Sequence, residues 1–257
     1  MTGTSGDRPA GGGTILEKGL AMLEAVARAG TATPALLAGE LGLSRSATYR
    51  LVDRLRTAGF LEDAPGGGLR LGLRAVAIGA SALRGSDIVR LAPEHLHQLA
   101  DLVGETVNLA VPDGDEMVYI LQQEGPGALK VTARLGTRRP MTCTALGKAY
   151  LAALTDDVLA ERLPALRYAR LTDRSPADAA TLREHISLVR EQGYAVDDRE
   201  VEPGVGCLAA AVCDVHGAPV AAVSVAGPAD RVLANEPAIA PLVMKAAREI
   251  SKRLGNL

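Results

Sequence analysis

The stretch ALLAGELGLSRSATYRLVDRLRTAGFLEDAPGGGLRLG, residues 35–72, runs two short helix signals, a tight turn and a hairpin signal in direct succession. Thr33 before Pro34 reads as an N-cap followed by proline at the first helical position, where its missing N–H costs nothing. Leu36, Leu37, Glu40 and Leu41 continue that helix, and Gly42 ends it. Ser44 is placed to cap a further helix in which Ala47, Leu51, Leu55 and Ala58 recur at helical spacing and define one buried stripe. The small Ala38 lets the two helices cross closely, and Gly42 supplies the positive φ that the turn demands. This stripe predicts that Arg45, Ser46, Thr48, Tyr49 and Arg56 face outward. Phe60 and Leu61, a Pro-Gly turn at 64–68 and then residues 69–71 read as a hairpin, or wing.

A helix-turn-helix followed at once by a wing places its second helix to enter a DNA major groove. Arg45, Ser46, Thr48 and Tyr49 are then candidates for base edges, with Arg50, Arg54 and the wing residue Arg70 approaching phosphates. The alternative is an ordinary three-helix bundle with an arginine-rich solvated face, and the wing in the right place weighs against it.

Working outward, residues 1–13 are polar and Gly-rich with nothing to bury and read as a disordered tail. Ile15, Leu16, Leu20, Leu23 and Val26 give a helix that starts after Thr14 and stops at Gly30, which makes 14–72 one winged helix-turn-helix domain. Residues 73–84 and 87–103 read as two helices, with 73–87 a helical linker. Beyond Glu105 the period changes. Strands are expected at 106–111, 116–123 and 129–135, helices at 143–154, 156–163 and 178–192, strands at 194–197, 207–214 and 218–226, and a last helix over 236–254. The expected class is α+β, with residues 88–257 a separate sensing domain.

The net charge of −2 argues against a generic polyanion binder, but residues 1–75 carry nine basic and seven acidic side chains against 19 and 23 in the remainder. Four arginines fall between Arg45 and Arg56, where local charge governs phosphate contact. With no Trp and one Phe the core must be aliphatic, and stacking on unpaired bases is not expected. No run is long enough to cross a bilayer and no signal peptide opens the chain, so a cytoplasmic protein is expected. The three cysteines read as free thiols. Cys207 and Cys213 on one strand would lie about 20 Å apart, too far to hold one metal ion with His216. No metal and no cofactor are expected.

LSRSATYRLVDRLRTAGFLED followed by a Gly-rich turn and LRLG resembles the DNA-binding half of IclR-family regulators. RRPMTCTALGKAYLA (138–152), GYAVDDREVEPGVGCLAAAV (193–212) and PVAAVSVAGP (219–228) resemble that family's effector-domain motifs in order and interval. The resemblance spans about 14–254 and implies a GAF-like effector-binding domain, a homodimer or dimer of dimers, and palindromic double-stranded operator DNA. It also implies that Asp197, Cys207 and Ser224 occupy pocket positions and that Ala145 and Leu146 line the same pocket. A helix starting near Thr144 would aim free N–H groups at a bound carboxylate without any basic side chain. Two alternatives stand beside this. Ser224 could cap a strand end, and Asp197 could belong to a solvated acidic loop with Asp198, Glu200 and Glu202.

Thr142 stands where the family often has histidine, Ala211 where it often has proline, and Ala226 where some members have a second serine. Of these departures, Thr142 and Ala226 make the pocket less polar and point to an aromatic or otherwise partly apolar acid as effector. The rival classes are an enzyme, which lacks any recognisable Ser or Cys elbow with an oriented base, and a protein-only adaptor, which leaves the arginine-bearing helix without a role.

Overall fold

A computed structural model describes residues 13–84, 86–127 and 134–255. The tail at 1–12 lies outside them, as does most of the strand expected at 129–135; Leu135 and Gly136 form a turn. The chain divides into two compact units, 1–85 and 86–257.

In the first unit, α1 (Ile15–Ala29) begins with a reciprocal cap, the Glu17 amide donating to the Thr14 hydroxyl and the Thr14 amide to the Glu17 carboxylate. Thr33 caps α2 (Pro34–Leu41), and Gly42, at φ 63° and ψ 32°, turns the chain in the left-handed region. Ser44 caps α3 (Arg45–Thr57) through the Ala47 amide. The wing is β1 (Leu61–Asp63) paired antiparallel with β2 (Leu69–Leu71). Ala32 and Leu69 exchange backbone hydrogen bonds at 3.0 and 2.8 Å, which ties the wing to the turn ahead of α2. Met22, Val26, Leu37, Leu51, Val52, Leu61 and Leu69 form the core, and α4 (Leu73–Arg84) follows.

One expectation on α3 is corrected. The buried face is Thr48, Leu51 and Val52, with Leu55 half-buried; Ala58 is exposed. Thr48 is 1% exposed, and its hydroxyl donates to the Ser44 carbonyl at 3.0 Å. A hydroxyl satisfied one turn back can be buried like an apolar group, so the outward placement of Thr48 fails.

The second unit opens with two helices where one was expected, α5 (Asp87–Leu91) and α6 (Pro93–Val103). Pro93 has no N–H to continue the ladder and instead occupies the first turn of a new helix. A six-stranded antiparallel sheet follows, built from β3 (Thr106–Asp113), β4 (Glu116–Gln123), β5 (Arg138–Pro140), β6 (Ala195–Asp198), β7 (Val205–Cys213) and β8 (Pro219–Pro228) in the order β5-β4-β3-β8-β7-β6. Between β5 and β6 come α7 (Ala145–Ala152), α8 (Asp156–Ala165) and α9 (Ala179–Gln192). A short α10 (Ala229–Ala234) precedes α11 (Glu236–Arg253); only the latter was expected. Strand alternation sends Val107, Leu109, Leu208, Val223 and Val225 to α6 and α11, and Ala110, Ala209 and Ala222 to α7 and α9. The α+β expectation holds. No helix among the described residues is long and apolar enough to cross a membrane.

Candidate functional site

The site begins with the seat of α7. The Thr144 hydroxyl donates to the Pro140 carbonyl and accepts from the Gly147 amide, both at 3.0 Å. A Cβ at Gly147 would stand 2.2 Å from the Met141 carbonyl oxygen, so only glycine lets the helix sit this close to the preceding turn. The Gly147 amide is thereby used. Those of Ala145 and Leu146 have no intrahelical acceptor, and both residues line a cavity of about 260 Å³.

The sheet supplies the opposite wall. Register places Asp197 opposite Cys207, Cys207 opposite Ala226, and Ser224 opposite Asn108, all on the face that α7 covers. Thr144, Ala145, Leu146, Asp197, Cys207 and Ser224 are thus brought together around one cavity. Four further polar residues line it that the sequence reading missed as pocket groups: Asn108, Tyr119, Arg139 and Glu202. The alternation of β3 and β4 signalled which face Asn108 and Tyr119 would take, but nothing local announced a cavity there.

Burial separates the acidic residues of the 197–202 segment. Asp197 and Glu200 are 2% and 4% exposed, whereas Asp198 is half-buried and Glu202 exposed, so a wholly solvated loop is overturned. Asp197 accepts the Glu200 amide at 2.7 Å, and burial pushes its carboxyl up to about 7 against the opposing pull of Lys148. Lys148, itself 2% exposed, is ion-paired with Glu200, whose carboxyl burial also raises; His185 Nδ1 lies 3.9 Å from the same Glu200 oxygen. Ser224 is mid-strand rather than at a strand end; the residue is 2% exposed, lines the cavity and makes no side-chain hydrogen bond among the described residues. The Asn108 carbonyl oxygen accepts from Gln122 at 3.1 Å, leaving its NH₂ for the cavity.

Burial, then the neighbouring Cys207, drives the Tyr119 phenol far above its ordinary range. Burial also lifts the Cys143 thiol to about 12 and Cys207 well above its usual value, so both stay protonated and neither is an activated nucleophile. No cluster of metal-ligating side chains occurs among the described residues.

On the first unit, Arg45, Ser46, Tyr49, Arg50 and Arg54 project from α3 into solvent. No ion pair holds Arg45, Arg50 or Arg54 among the described residues, whereas Arg56 is paired with Asp63 and the wing's Arg70 with Glu62 at 2.6 Å.

An exposed arginine-bearing helix behind a helix-turn-helix turn, in a chain with a second α+β unit, is the arrangement of a DNA-binding transcriptional regulator. The IclR helix-turn-helix domain matches residues 15–65, and the C-terminal domain of bacterial transcriptional regulator IclR matches residues 80–252. The chain belongs to the IclR family of transcriptional regulators. The HTH-type transcriptional repressor AllR of Salmonella paratyphi A is 34% identical over 247 residues, covering 95% of this chain and 91% of that protein. The crystal structure of Thermotoga maritima IclR is similar with TM-score 0.78 and 30% identity, over 93% of this chain and 98% of that one. An IclR homolog from Microbacterium hydrocarbonoxydans, complexed with 4-hydroxybenzoate, gives TM-score 0.78 and 25% identity over 94% and 99%.

Proposed function

We propose that this chain is a cytoplasmic repressor whose affinity for a palindromic operator is set by a small organic acid, aromatic or aliphatic, held in the cavity beneath α7. The observation that carries the reading is that one cavity is lined by the helix-start residues Ala145 and Leu146, whose amides lack intrahelical acceptors, by Ser224 and by the buried Asp197. A related structure that holds 4-hydroxybenzoate supports an acid of this size.

On the DNA side, Arg45, Ser46 and Tyr49 read bases, while Arg50, Arg54 and Arg70 approach phosphates. Thr48, buried against its own helix, supports the α3 backbone instead. Exposed apolar side chains on the first unit, Leu16 at 68% and Leu20 on α1 with Leu73 at 77% and Val76 on α4, support a homodimer, itself able to pair into a dimer of dimers.

Calorimetric titration of the full chain with small carboxylic acids, repeated with Ser224→Ala and Cys207→Leu, tests the cavity. The proposal requires that an acid which lowers operator affinity binds both variants more weakly. Unchanged binding to both would move the effector elsewhere.

A further inference from the structure

Among the described residues that line the cavity, Arg139 is the only basic one. It stands on β5 opposite Met117 of β4, and strand alternation gives it the cavity face. Its guanidinium is paired at 3.0 Å with Glu202, which belongs to the segment joining β6 to β7. β5 and β6 are the two edges of the sheet, so this pair reaches from one edge to the loop beyond the other, across the cavity. Both partners are partly in solvent, with side-chain exposures of 37% and 53%. An ion pair so exposed is weakly held and exchanges readily for a better acceptor.

The α7 amides offer a place for one carboxylate and need no counter-cation. A second anionic group at the Arg139 end would meet a planar donor fork suited to two parallel hydrogen bonds, and displacing Glu202 would return that carboxylate to water. A monoacid gains nothing there. It leaves Arg139 with Glu202.

Resting on the cavity reading above, we infer that Arg139 is a specificity-determining residue that selects effectors with two acidic groups, one on the α7 amides and one on its guanidinium. The cavity's size, about 260 Å³, lies below the roughly 300–1,000 Å³ of drug-sized sites and restricts these to short diacids.

The test uses matched probes on the full-length protein: butyrate against succinate, and benzoate against isophthalate, each titrated calorimetrically. In at least one pair the diacid binds wild type about tenfold or more tighter than its monoacid, and Arg139→Gln brings that ratio to within about twofold, the diacid losing more affinity than the monoacid. Glu202→Gln breaks the same ion pair yet keeps the cation, and it preserves or increases the ratio; a collapse there too would mean that the pair merely braces the fold. Retention of diacid preference by Arg139→Gln, equal binding of monoacid and diacid in both pairs, or binding by neither diacid overturns the inference. Cys207→Leu, which fills the cavity, separates the two levels. If it abolishes binding while Arg139→Gln leaves the ratio intact, the cavity stands and the role of Arg139 falls. If it leaves binding intact, the cavity reading falls as well.

Discussion

Arg45 and Asp197 show how far single side chains carry the function. Arg45 lies at the exposed start of α3 without an ion pair among the described residues, free to donate to a base edge. Arg45→Ala should weaken operator binding by about 1–3 kcal/mol at fixed salt and relax preference at one base position, whereas Arg50→Ala should mainly flatten the salt dependence. Competition assays with operator variants at several salt concentrations distinguish the two outcomes. Asp197 belongs to the cavity and carries a pH dependence. Its carboxyl titrates near 7, so it is largely neutral below that pH and charged above it. A charged Asp197 repels an anionic effector. Effector affinity should therefore be highest below pH 7, while the effector itself stays ionised, and fall by up to about tenfold per unit above it. Asp197→Asn should flatten the profile, and an unchanged slope in the variant would assign the titration to another group.

Among the elements, α7 depends most on a single position. Gly147→Ala places a methyl against the Met141 backbone, which cannot move aside as a flexible side chain would. The expected loss is about 1–3 kcal/mol, read as a lower urea midpoint at unchanged slope, together with weaker effector binding because the amides of Ala145 and Leu146 shift. How much of this was legible in the sequence followed from locality. Caps, turns and periodicity located α1, α2, α3 and the wing, motif resemblance located five cavity residues and the helix-start signal a sixth, Thr144, because each signal lies within a few positions of what it specifies. Arg139, Glu202, Tyr119 and Asn108 became site residues only when strands and loops distant in sequence met, a fact of register that no local pattern encodes. The burial of Lys148 is of the same kind, since its partner Glu200 is 52 positions away. Thr48 failed for a different reason: its type reads as polar, while its hydroxyl is satisfied one turn back.

At the scale of the whole molecule, the proposal needs an assembly and a coupling. Leu73→Asp combined with Val76→Asp should shift a dimer toward monomer in sedimentation at micromolar protein and reduce operator affinity, since each copy would then read only a half-site. A mass unaffected by both changes would place the interface elsewhere. An effector that lowers operator affinity about tenfold must discriminate between the DNA-competent and incompetent states by roughly 1.4 kcal/mol, and operator must weaken effector binding by the same factor. The aliphatic core makes this reciprocity observable without labels. The chain has no tryptophan and five tyrosines, so its intrinsic emission comes from phenols alone. Tyr119 lines the cavity and Tyr49 stands on the exposed face of α3, which gives each proposed event a native optical reporter. The part of the acid-induced change that Tyr119→Phe removes reports the cavity, and the part of the DNA-induced change that Tyr49→Phe removes reports the helix.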